Sequence, residues 1–181
     1  FQINDATDNQ KLNLNVKENV WVKSAGKITV GTGNPFAADG YAIGSTMPED
    51  DGKEYHSIFH QFIIGGDFTN DGDVKLTNLN APDYDDFATN GAVTVRFTNA
   101  NNATVTLNDT TDFYNLLIDK GTDKTYVTDI YADNARYFQL FGPNSCGRIT
   151  TGSYSDSNPL IRKALWVKNG TLKLTGNIHI P

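Results

Sequence analysis

Residues 164–175 read ALWVKNGTLKLT, two short alternating apolar runs joined by Asn169-Gly170, a pair whose tolerance of positive φ suits a tight turn between strands. The pattern recurs. FTNDGDVKL over 68–76 matches WVKNGTLKL over 166–174, with Gly72 on Gly170 and Lys75 on Lys173, and a looser copy, WVKSAGKITV over 21–30, carries one extra residue at its turn. A strand-turn-strand unit that repeats within one chain constrains the fold strongly, because each copy must bury its apolar side against another. On this alignment Trp21, Phe68 and Trp166 occupy one repeat position.

The rest of the composition agrees with short strands and many turns. The 181 residues are 38% hydrophobic and include 16 glycines, with many Asn, Thr and Asp, so an all-β chain is favoured over helices and one domain over 1–181 is expected. The net charge is −6, and the basic residues are scattered singly, leaving no positive stripe to neutralise phosphates; nucleic acid is excluded as a partner. Cys146 is the sole cysteine, which rules out an intrachain disulfide and a cysteine zinc cluster. No apolar run approaches the roughly 20 residues of a membrane span, and the opening FQINDATDNQ lacks the charged start and apolar core of a signal peptide. The last residues, Ile178-His179-Ile180-Pro181, stop within an alternating run, from which we expect a fragment of a longer chain.

Period-two alternation predicts a strand over 11–17, with Leu12, Leu14 and Val16 on one face, followed by the unit at 21–30. Further strands are expected over 55–64, at Val93, Val95 and Phe97, at Val105 and Leu107, and over 113–118 and 126–130. Residues 132–140 form the one segment that could be helical. Polar, glycine-bearing loops are expected over 34–53, 78–90 and 141–159, and loops of this kind often carry function. Two architectures suit such a pattern, an antiparallel β-sandwich and a right-handed parallel β-helix. Stacked coils place equivalent turns above one another, so recurring turns favour the β-helix. Leu12, Leu14, Ile28, Val30, Val74, Leu76, Leu172 and Leu174 are the expected inward positions.

The strings GGDFTNDGDVKLTNL, FYNLLIDKGTDKTYV and IRKALWVKNGTLKLTGNIHIP resemble the repeat-rich portions of large secreted, adhesin-like surface proteins of gut Bacteroidetes. The resemblance covers roughly 65–181. It implies a β-helical scaffold at the cell surface or in the secreted fraction, and it carries over no catalytic residues. Glycans or a host or surface protein are the partners it suggests, and no cofactor is expected.

Four constellations could carry chemistry. Asp67, Thr69, Asp71, Gly72 and Val74, with Asp73 beside them, fit the first half of a calcium loop, where a hard cation needs several oxygens around a sharp glycine turn. Position twelve is Asn78 where a bidentate carboxylate is needed, so a β-turn rich in Asn, Asp and Gly is the preferred reading. His56 and His60, near Glu54, would sit about 13 Å apart on a strand, too far for one metal ion. The acids Glu49-Asp50-Asp51 and Asp83, Asp85 and Asp86 could furnish a glycosidase pair, yet the Asn-Thr-Asp, Gly-His-Gly and Arg-Ile-Lys strings of β-helical polygalacturonases are absent. Cys146 has no histidine or basic pocket identifiable beside it.

These readings leave a non-catalytic adhesive scaffold, with glycan contacts through loops, ahead of a polysaccharide-processing enzyme and of a structural stalk. Trp21, Phe68 and Trp166 are the candidate ligand-binding residues. They share parity with polar neighbours and would form either an exposed platform for sugar rings or a covered satellite cluster.

Overall fold

A computed structural model describes residues 1–3, 12–31, 60–78, 91, 93–141 and 164–180. Among these are fifteen strands: β1 (Gln2–Ile3), β2 (Asn13–Val16), β3 (Val20–Val22), β4 (Lys27–Val30), β5 (His60–Ile64), β6 (Phe68–Asn70), β7 (Asp73–Lys75), β8 (Val93–Phe97), β9 (Ala103–Leu107), β10 (Thr111–Phe113), β11 (Asn115–Asp119), β12 (Val127–Ala132), β13 (Phe138–Leu140), β14 (Leu165–Asn169) and β15 (Thr171–Gly176). They form three five-stranded sheets, ordered β1-β4-β7-β10-β13 (sheet A), β2-β5-β8-β11-β14 (sheet B) and β3-β6-β9-β12-β15 (sheet C). Every pairing is parallel. The chain visits B, C and A in turn, so successive coils stack as a parallel β-helix, and the sandwich alternative falls because no antiparallel pair exists among the described residues.

The core consists of inward rows that run across the strands. In sheet B the row Val16, Ile64, Phe97, Ile118 and Val167 is in direct register, and its three central members are wholly buried. In sheet C the corresponding row is Val20, Phe68, Val105, Ile130 and Leu174. Burial of each central side chain contributes about 1.5–3 kcal/mol relative to leaving it in water. Of the expected inward positions, Ile28, Val30, Val74 and Leu76 are buried and Leu14 and Leu172 pack partly on the core. Leu12 and Leu174 are exposed, at 38% and 37%. Leu174 keeps inward parity opposite buried Ile130, but β15 is the outermost strand of its sheet among the described residues and has a strand neighbour on one side only. Leu12 lies just before β2, the outermost strand at the other end of sheet B.

Turn glycines stand at corners between sheets, although Gly72 and Gly170, matched in the repeat, stand at different ones: Gly72 lies between β6 in sheet C and β7 in sheet A. Gly170 has φ 88° and joins β14 in sheet B to β15 in sheet C, so the Asn169-Gly170 turn is a corner between sheets. At the same corner three coils earlier, a Cβ on Gly65 would lie 2.1 Å from the Lys17 carbonyl oxygen, so only glycine lets the coils approach this closely. Lys120 closes this corner from within. Its buried ammonium donates to the carbonyls of Gly65 (3.2 Å) and Thr98 (2.5 Å) and to Asn101 Oδ1 (2.9 Å), so its three donors meet three oxygens from two preceding coils. Burial pushes the Lys120 pKa down. From sheet C to sheet A, buried Asn70 plays the equivalent part. Its amide donates to Thr111 Oγ1 at 2.8 Å and to the Thr110 carbonyl at 3.1 Å, while its Oδ1 accepts from the Gly72 N–H at 2.9 Å.

Two expectations need correction. Residues 132–140 are not a helix: β12 ends at Ala132, one 3-10 turn covers Ala135–Tyr137 under an Asn134 cap, and β13 follows at once. The coil path explains this, since a corner to sheet A must be turned within five residues. Trp21 and Phe68 are also out of register. The turn after Val22 holds four residues where that after Asn70 holds two, so Trp21 lies opposite Thr69 and Phe68 opposite Val20. A slip of one residue reverses the face, which turns Trp21 outward and Phe68 inward.

The chain passes from sheet A to sheet B between β1 and β2, β4 and β5, β7 and β8, and β13 and β14 through segments outside the described residues. Between β10 and β11 the single residue Tyr114 makes this crossing. The loops expected over 34–53, 78–90 and 141–159 fall in these crossings and, apart from residues 78 and 141, lie outside the described residues, as do Cys146, His56, Glu54 and both acidic clusters.

Candidate functional site

The outward sides of sheets B and C differ sharply. On sheet B the outward row Gln61, Thr94 and Asn115 is buried, as is Leu117 between Arg96 and Trp166 in the next row. On sheet C the outward positions are exposed or half-buried. One row there, in continuous register, reads Trp21, Thr69, Thr106, Tyr131 and Thr175. Its two aromatic members are among the exposed large apolar side chains, Trp21 at 63% and Tyr131 at 42%. At about 4.8 Å per strand, three spacings put their backbones about 14 Å apart, with the short threonines Thr69 and Thr106 between.

Neighbouring groups hold the Trp21 ring. Its indole N–H donates to Asp71 Oδ2 at 2.6 Å, and Asp71 Oδ1 accepts from Asn108 Nδ2 at 2.6 Å. These two hydrogen bonds, Asn108 first, hold the Asp71 carboxyl below the ordinary carboxylate range. The Lys23 ammonium lies 5.1 Å from the ring centroid. At the far end of the sheet, Lys173 donates to Asp129 Oδ2 at 2.5 Å and Thr175 Oγ1 donates to Asp129 Oδ1 at 3.0 Å; the Lys173 bond is the main cause of the lowered Asp129 pKa. The aromatic row is therefore flanked by carboxylates, amides and hydroxyls. The charged side chains with contacts at this row are Asp71 and Lys23 at the Trp21 end and Asp129 and Lys173 at the other.

The three residues expected to share a repeat position are dispersed. Trp21 stands on the open side of sheet C, and Trp166 is half-buried on the outward side of sheet B. Phe68 is 1% exposed inside the core, edge-on to Phe62 at 6.3 Å. They form no common platform. Tyr131, which the sequence reading missed, is the aromatic that shares the Trp21 row; its period-two relation to Asp129 marks it as outward, but only strand pairing links it to a tryptophan 110 residues earlier.

The calcium candidates are also parted. Asp67 Oδ1 accepts from the Thr104 N–H at 2.7 Å, Asp71 holds Trp21 and Asn108, and Asp73 lies near Lys27 (3.8 Å) and Lys75 (3.6 Å). Val74 is in the core, and Asn78 donates to the Gly31 carbonyl. Among the described residues no group of three or more His, Cys, Asp or Glu side chains converges on a point that could hold a metal. His60 is buried, and its Nδ1 accepts from the Leu12 N–H at 3.1 Å, which leaves Nε2 as the site of the proton in the neutral ring. No helix among the described residues is long and apolar enough to cross a membrane. The chain matches no family model, no curated protein and no solved structure.

Proposed function

We propose that this chain is a rigid, non-catalytic scaffold segment of a larger secreted or cell-surface bacterial protein, and that it binds glycans on the open side of sheet C. The observation that carries this reading is the pair Trp21 and Tyr131, exposed in one row and surrounded by hydrogen-bonding side chains. Aromatic faces offer a large apolar area at small ordering cost, and sugar rings present apolar C–H faces with hydroxyls around their edges. Carboxylates and amides beside the rings accept and donate to such hydroxyls. Asp71 and Asp129 are already engaged by Trp21, Asn108, Lys173 and Thr175, which suits them to orienting side chains rather than to moving protons. The resemblance to adhesin-like surface proteins supports the location and the scaffold role.

A glycan array tests the reading. The purified chain should bind a subset of immobilised glycans, Trp21→Ala should abolish that binding, and pectin, glycosaminoglycans and mucin glycans should be left uncleaved. Binding that is indifferent to Trp21→Ala, or release of reducing ends, would overturn it.

A further inference from the structure

We infer that the ligand of sheet C is a neutral, unbranched, β-1,4-linked glycan lying along the helix axis, across the strands, with one sugar ring on Trp21 and another on Tyr131. This rests on the glycan-binding reading and adds the class and course of the ligand.

Three observations lead there. First, the aromatic residues are joined by an in-register row of Thr69 and Thr106, so a chain running from one ring to the other meets only short hydroxyl-bearing side chains. The separation of about 14 Å, three strand spacings, exceeds one sugar ring, so the two aromatic rings meet different sugars of one chain. Second, a row drawn straight across parallel strands needs an extended, ribbon-like partner. Pyranoses linked β-1,4 with equatorial substituents form such a ribbon and present flat C–H faces to aromatic rings, whereas a coiled or branched chain follows a straight row less well. Third, the carboxylates shown at the row are already engaged within the protein, Asp71 by Trp21 and Asn108 and Asp129 by Lys173 and Thr175, which leaves the hydroxyls of a neutral sugar chain as the complementary chemistry for the threonine row. The carboxylates of Asp71 and Asp129 have oxygens at the row's edges that can accept from those hydroxyls.

The test is titration calorimetry of the whole chain with cello-oligosaccharides of two to six units, beside sulfated and uronic-acid oligosaccharides of equal length. Affinity should step up by about tenfold once the chain spans both rings, as expected for one added ring-stacking contact. Trp21→Ala and Tyr131→Ala should each erase that step, with circular dichroism melting curves close to wild type. Affinity independent of length, indifference to Tyr131→Ala, or preference for the anionic series would overturn this inference. If the array nevertheless shows Trp21-dependent binding of another glycan, the broader reading stands; if no glycan binds at all, both fall.

Discussion

Phe68 and Trp21 were expected at one repeat position and are found on opposite sides of one sheet, so truncating each should give very different results. Phe68 is 1% exposed, sits between Val20 and Val105 in the inward row, and meets Phe62 edge-on at 6.3 Å and 78°. Removing such a ring costs about 3–5 kcal/mol in lost transfer energy and cavity. Some of that, about 0.5–1.5 kcal/mol, belongs to the aromatic pair. Trp21 is 63% exposed and holds one indole hydrogen bond and one exposed cation contact, so Trp21→Ala should cost about 1 kcal/mol or less. For a chain of this length each kcal/mol shifts the midpoint by about 2–4 °C, so Phe68→Ala should melt about 6–20 °C lower and Trp21→Ala within a few degrees of wild type. Urea and thermal unfolding followed by far-ultraviolet circular dichroism would measure both, with Phe68→Leu as a milder variant should Phe68→Ala not fold. Equal losses at the two positions would refute the register on which the binding face rests.

Two further outcomes follow from the polar groups that tie coils together. Asn70→Ala should cost about 2–4 kcal/mol, since the Gly72 N–H and Thr111 hydroxyl lose their buried partner; Asn70→Asp should be worse at neutral pH, where a carboxylate faces the Thr110 carbonyl, and should recover in acid, as denaturation at pH 7 and pH 4 would show. Asp119 links three coils through Arg96, Asn169 and Lys168; burial pushes its pKa up, but the bonds from Asn169 and Arg96 and the charges of Arg96 and Lys168 outweigh that and leave it lowered. Because the folded pKa lies below the unfolded value of 3.8, its contribution is complete above that value and is lost as pH falls through the folded pKa. Asp119→Asn should therefore cost about 1–3 kcal/mol at pH 7 and flatten the acid limb of the stability curve. An unchanged acid limb would show that Asp119 is no part of it.

Much of the scaffold was legible without coordinates. Alternation over 13–16, 27–30, 93–97 and 171–174 assigned strands and their inward side chains because the period of two is a local property of the backbone. Recurring turn glycines pointed to stacked coils, and Gly170 and Gly65 stand at corners with a positive φ and a close backbone approach that other residues would strain, but Gly72, matched to Gly170 in the repeat, stands at a different corner. What sequence alone could not determine is which residues of different coils lie opposite one another. That depends on turn length: two residues more in the turn after Val22 place Trp21 against Thr69 and separate it from Phe68, while Asn70, although polar, is buried because its amide closes a corner. Position in the stack is likewise a tertiary matter, for Leu174 has the same parity as Ile130 and differs in lying on the outermost described strand of its sheet. The row that joins Trp21 to Tyr131 is made by hydrogen-bonded pairing of β3, β6, β9 and β12, a relation between distant segments that no local periodicity encodes.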